Sequence, residues 1–226
     1  MIDIEKNVRT YLGDRSPLER ASSFDYCFNY FQAFRDRTAT SEISARQYLE
    51  LSCLHLGYYL ASWGMLRGST VLHTKSYRFF ETVVGVIAAE PPGSWEIDVD
   101  DYSDEGVTAL MDTRDRLAEA LTARSVDGVI RRPTNTLLTK VMLGVFGSVP
   151  AFDTSFCRGF HAATGERGAF NRKSLNAIAD FYLENAEAID SRSVTTLDNR
   201  SGQPTSRRYT RAKIVDMALL IEGGGS

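Results

Sequence analysis

Arg67 and Ser69 are the first residues along the chain whose types and spacing suit chemistry. In Trp63-Gly64-Met65-Leu66-Arg67-Gly68-Ser69-Thr70, an arginine and two hydroxyls stand between glycines, directly ahead of a helical pattern. Backbone amides at a helix start, joined by a guanidinium, bind phosphate or carboxylate. The same residues also read as a helix–helix connection whose glycines permit close packing. Basic pairs follow at Arg131-Arg132, Arg172-Lys173 and Arg207-Arg208, the last with Arg211 and Lys213 nearby. Brought together in space, they would form a positive groove for a phosphate backbone; scattered, they are ordinary solubilising charges.

The most distinctive stretch runs from Thr139-Lys140 through Gly147-Ser148-Val149-Pro150-Ala151-Phe152-Asp153-Thr154 to Arg158. An apolar helix ends at glycine, a proline-bearing turn follows, and Asp153 stands where a helix cap belongs. This stretch resembles the second half of the helix-hairpin-helix DNA glycosylase core. In that family a carboxylate after such a turn faces a flipped nucleotide, and bifunctional members carry a nucleophilic lysine at the helix start. The resemblance implies Asp153 as the catalytic carboxylate, Lys140 as the amine, and Arg158 in support. Apart from it, the basic pair Arg131-Arg132 flanks this stretch and is a candidate for nucleic-acid binding. The chain departs from the family in two ways. The glycine-rich phosphate hairpin is absent, its place before Lys140 taken by Thr134-Asn135-Thr136-Leu137-Leu138. The lysine-to-aspartate interval is also several residues shorter. Separately, Arg67 and His73 match the arginine–histidine spacing of HEPN ribonucleases. The wording around Tyr59 to Ser69 and Leu143 to Asp153 is similar to a group of uncharacterised bacterial proteins, which implies no activity.

Other chemistries lack their residues. The three histidines, His55, His73 and His161, show no metal-binding spacing, and no Gly-x-Ser-x-Gly elbow, GxGxxG or Walker loop occurs. The acidic run Asp98, Asp100, Asp101, Asp104, Glu105 fails as a calcium loop, because Glu105 and Met111 stand where glycine and glutamate are needed. It reads as a solvated loop. No metal and no cofactor are expected.

Positioning these groups falls to helices. The chain has 226 residues, of which 43% are hydrophobic and 24% charged, ordinary for a globular domain with a full core. A net charge of −3 argues against a protein coated in positive potential. Three dispersed cysteines fit buried thiols in a reducing, cytoplasmic compartment. Nothing in the sequence has the length of apolar run that spans a bilayer, and the first residues lack a secretory pattern.

Apolar periodicity predicts a helix capped by Ser22 or Ser23, with Phe24, Phe28, Phe31 and Phe34 on its core face. The next is capped by Thr40 or Ser41 and runs to Trp63, largely buried all round. Further helices span about 75–89, 103–124, 137–146, from Asp153 through Phe160, from Asn171 through Ile189, and 210–221. Residues 190–210 read as a polar loop. The expectation is all-α: a single-domain array of about eight helices over 1–222, with 223–226 as a linker-like Gly/Ser tail. For function, three readings stand: a nucleic-acid-directed, helix-hairpin-helix-like protein binding DNA or processing its bases; a non-enzymatic interaction subunit with a protein partner; and a HEPN-like ribonuclease.

Overall fold

The computed structural model describes residues 2–13, 15–67, 72–124 and 130–225. Ser69, with Gly68, lies outside them. The described chain is a helical array with two small antiparallel hairpins. Its helices are α1 (Ile4–Leu12), α2 (Ser22–Arg35), α3 (Arg46–Ser62), α4 (Glu81–Ala89), α5 (Asp104–Ala120), α6 (Asn135–Phe146), α7 (Thr154–Thr164), α8 (Arg172–Asp190) and α9 (Arg211–Glu222). Strands β1 (Ala123–Arg124) and β2 (Ile130–Arg131) form one hairpin, β3 (Thr195–Leu197) and β4 (Pro204–Arg208) the other. The all-α reading holds, with one more helix among the described residues than expected: α1, whose Ile4, Val8, Tyr11 and Leu12 recur at helical spacing.

Short polar side chains start the helices that carry the site. Thr134 accepts from the Leu137 amide, Asp153 from Phe156, Asn171 from Ser174 and Thr210 from Lys213. Each satisfies an amide that has no partner within its helix. Gly147 ends α6 at φ 69°, a left-handed value that side chains disfavour. Ser22 and Ser23 are not caps; both are buried within the first turn of α2. Thr40 and Ser41 open a short 3-10 turn, Thr40–Ser44, and α3 begins after it.

The core is built on α6 and α9. Every residue from Leu137 to Phe146 is buried, as is every residue from Ala212 to Leu220. The phenylalanine stripe of α2 packs inward as expected, with none of its four rings more than 3% exposed. Helix α3 departs from expectation. Cys53, Leu56, Tyr59 and Leu60 face inward, whereas Leu51, Leu54 and Tyr58 are exposed on the other side. Its apolar residues do surround the helix, but only one face has a neighbour to pack on.

Two polar regions prove more ordered than the sequence suggests. Asp98, expected in a solvated loop, accepts from the amides of Arg211 and Ala212 at 2.7 Å each and so holds the start of α9. Burial pushes its carboxyl above the ordinary value, while these amides and that of Val99 pull it back. The expected loop 190–210 contains the β3–β4 hairpin, tied to α2 by Asn29, which donates to Leu197 O and accepts from Thr196 Oγ1. Its strands are short and β4 reads Pro-Thr-Ser-Arg-Arg, so no apolar alternation announces it.

Helices α7 and α9 cross at backbone contact. A methyl at Gly159 would collide with the Leu219 carbonyl, and one at Gly223 with the Ser155 carbonyl. Gly223 to Gly225, read as a tail, donate amide hydrogen bonds to Leu219, Ile221 and Leu220 carbonyls and so close α9. Gly159→Ala should therefore destabilise the protein by about 2 kcal/mol or more through overpacking. Gly85→Ala, at a helical glycine with open space around its Cα, should stabilise it by about 0.5–1 kcal/mol. Urea midpoints of the two variants against the parent chain check both signs.

Candidate functional site

The turn between α6 and α7 carries the sequence-predicted carboxylate, and it is buried throughout from Val145 to Phe152. Buried backbone groups that make no helical bonds need other partners. Here they find them in side chains from four directions. Gln32 of α2 donates to Val145 O, Thr210 ahead of α9 to Gly147 O, and Tyr102 ahead of α5 to Ser148 O, at 2.7 to 2.9 Å. Within α6, Thr136 donates to Phe152 O at 2.8 Å and Thr139 accepts from Phe152 N at 2.9 Å. Asp216 of α9 accepts from Ala151 N at 2.9 Å. The turn has little freedom left, and Asp153 leaves it in a fixed direction.

At that point the two residues expected to act together do meet. Lys140 Nζ donates to Asp153 Oδ2 at 3.1 Å, while Asp153 Oδ1 caps α7 through the Phe156 amide at 3.0 Å. The lysine side chain is 4% exposed and the carboxylate 21%. Lys140 Nζ also sits 4.8 Å from the centre of the Trp63 ring, within range for a cation–π contact. The ammonium is thus covered, paired and stacked, and the carboxylate is the member of the pair that reaches outward.

Behind the pair lies a second buried cation. Lys213 Nζ donates to Asp216 Oδ2 at 2.8 Å and to Tyr11 Oη at 3.2 Å, and faces the Tyr11 and Phe24 rings. Burial alone would pull this ammonium down; the Asp216 carboxylate and Tyr11 outweigh it and hold it above its ordinary value. Lys213, grouped in the sequence with neighbouring arginines, is therefore an interior residue that pairs with Asp216 beside the turn. Nearby, Arg15 clamps the fully buried Asp25 and the Tyr209 hydroxyl. Burial raises the Asp25 carboxyl, and Arg15 opposes that rise.

Asp153 opens into a hollow of about 700 Å³ whose walls include Thr154, Cys157, Arg158, His161 and Arg167. Arg158 lines the same hollow as Asp153. His161 Nδ1 lies 3.2 Å from the Glu166 carbonyl. Cys157 offers no thiolate: burial and then the Asp153 charge push its thiol up to about 11.

The other predicted residues do not join this wall. Arg131 and Arg132 are exposed on and just after β2, outside the hollow. Arg67 is exposed and its guanidinium folds back over Gly64. The remaining basic clusters disperse into separate contacts: Lys173 with Glu166, Arg207 with Asp36, and Arg211 with Asp100 and Asp190. The groove that convergence would have made does not form from them. Three residues were missed: Trp63, whose glycine-flanked position drew notice only for Arg67, and His161 and Arg167, which carry no local motif. Among the described residues no group of three or more His, Cys, Asp or Glu is placed to hold a metal ion, and no helix is long and apolar enough to cross a membrane.

No protein-family model, curated protein or solved structure matches the chain.

The Lys213–Asp216 pair gives a direct check on this arrangement, since both side chains are 3% exposed. Lys213→Ala leaves a buried carboxylate without its counter-ion and should cost about 3–5 kcal/mol. Lys173→Ala, which breaks an exposed pair, should cost no more than about 1 kcal/mol. Denaturant titration of both variants compares them.

Proposed function

We propose that this chain is a nucleic-acid-directed protein of the base-processing kind, with Asp153 as the acting carboxylate. The observation that carries the reading is the 3.1 Å contact between Lys140 and Asp153, delivered by a turn whose backbone is held from α2, α6, α9 and the segment before α5. Groups that do chemistry need this sort of support, because small displacements cost rate. Lys140 pairs with Asp153 on its inner side, and a fixed negative charge on the outer side stabilises positive charge developing nearby.

Cleavage of an N-glycosidic bond develops such a charge on the sugar. The bond between C1′ and the base nitrogen breaks with its electron pair leaving on the base. Water then adds its oxygen to C1′, and a carboxylate accepts the water proton. Asp153, facing the hollow, suits both the electrostatic and the proton-accepting part. Lys140 suits a different role from the nucleophile that the resemblance implied. An ion-paired ammonium has no lone pair to attack with, so the reading makes Lys140 the charge partner of Asp153 and the cleavage hydrolytic.

The test begins with binding of duplex and single-stranded DNA at low and moderate salt, followed by base release from strands carrying mismatched or damaged bases. Asp153→Asn is the informative variant, because asparagine caps helices about as well as aspartate. It costs stability by removing the counter-charge of buried Lys140, so it is assayed below its thermal unfolding midpoint. There it should keep DNA binding while slowing base release by about 10²-fold or more. Absence of DNA binding even at low salt overturns the proposal, as does unchanged base release in Asp153→Asn.

A further inference from the structure

We infer that the hollow beside Asp153 is a phosphate site, in which Arg158, His161 and Arg167 hold the phosphodiester of a single strand next to the nucleotide being processed. The inference rests on the base-processing reading for its choice of substrate, but its evidence is separate. It comes from the charge balance of the walls rather than from the Lys140–Asp153 contact.

Two guanidiniums and one imidazole line the hollow, against a single carboxylate. That carboxylate, Asp153, is already matched by Lys140. The nearest other acid, Glu166, is taken by Lys173 at 2.8 Å. Some surface arginines sit against acids, as Arg9 with Glu5, Arg78 with Glu81, Arg114 with Asp115 and Arg207 with Asp36. Others, Arg46, Arg131 and Arg132 among them, are exposed outside this hollow. Arg158 lines the hollow with only a 3.4 Å contact to Ser155 Oγ from its own helix, a length at which little hydrogen-bond strength remains. Cations gathered in a concavity without compensating acid attract an anion, and two guanidinium forks match the geometry of phosphate oxygens.

The imidazole is oriented for the same task. The Glu166 carbonyl can only accept, so the short contact to His161 fixes Nδ1 as the protonated nitrogen. Nε2 is then the ring nitrogen left for a second contact on the side of the hollow. At about 700 Å³ the space is within the usual range for a small-molecule site. Base processing needs the target nucleotide out of the stack, which favours a single strand or an extruded nucleotide over paired DNA.

Single-stranded oligonucleotide binding, followed by anisotropy across a salt series, tests the assignment quantitatively. Each phosphate contact adds about 0.7 to the slope of log affinity against log salt for a single strand. Because both arginines hold one phosphodiester, the double variant Arg158→Ala/Arg167→Ala should lose about 0.7 from the slope. Arg131→Ala/Arg132→Ala, which removes the same charge away from the hollow, should leave the slope nearly unchanged. Equal loss from both variants, or no loss from the first, overturns the inference while leaving DNA binding, and so the function, intact.

A second arm separates the strand from a free phosphate. Titration with inorganic phosphate and with a nucleoside monophosphate should shift the imidazole resonances of His161, identified by their disappearance in His161→Gln. Shifts from these ions in a protein that binds no DNA support the phosphate site and overturn the base-processing function. A silent His161 in a protein that binds single strands overturns the phosphate site alone.

Discussion

The molecule depends on one demand: the peptide groups of a buried, non-helical turn must all find partners. Between Val145 and Phe152 the chain cannot use water, and it cannot use the regular bonding of a helix. It uses an amide from α2, a phenol from the segment before α5, two threonines of α6, and a threonine and a carboxylate at the start of α9. Because these come from elements distant in sequence, satisfying the turn also fixes how the helices meet. Leaving any one of these buried groups unpaired would cost about 1–3 kcal/mol. The direction in which Asp153 leaves the turn is a by-product of that bonding.

Charge is handled in the same spirit. The interior holds Asp25, Glu90, Lys140, Lys213 and Asp216, and each has an opposite charge within hydrogen-bond reach. Paired in this way they contribute little net potential. The surface follows suit through its many Arg–carboxylate contacts, consistent with the small overall charge. In the concavity at α7, two arginines and a histidine stand with one carboxylate that is already paired, and a modest set of side chains in a concavity shapes the local field.

How much of this could be read from the sequence follows from which interactions are local. The α6–turn–α7 unit was legible because glycine, proline and an N-capping aspartate act on their own neighbourhood, and Gly147, Pro150 and Asp153 behave as such residues do. The meeting of Lys140 with Asp153 was legible for the same reason, since both belong to that unit. What could not be read was long-range. Nothing near Lys213 says that it is interior; only the packing of α9 against α1 and α2 makes it so. Asp98 looks like one acid among several until the start of α9 arrives above it. The hairpin at β3 and β4 exists because Asn29 and its neighbours on α2 accept it, not because of any alternation of its own. His161 and Arg167 share a wall only through the loop that follows α7.

The last helix brings a timing constraint. Asp216 and Thr210 secure the turn, and Asn7 of α1 reaches Ala218 and Glu222 at the far end of the chain. During synthesis α6 and α7 leave the ribosome before any of these partners exist. The segment around Asp153 must wait, with polar groups unsatisfied, until α9 is released and joins α1. Folding of this kind is governed by contacts of wide sequence separation and proceeds slowly. The nascent protein is thus exposed to misassociation and to holding chaperones until α9 emerges.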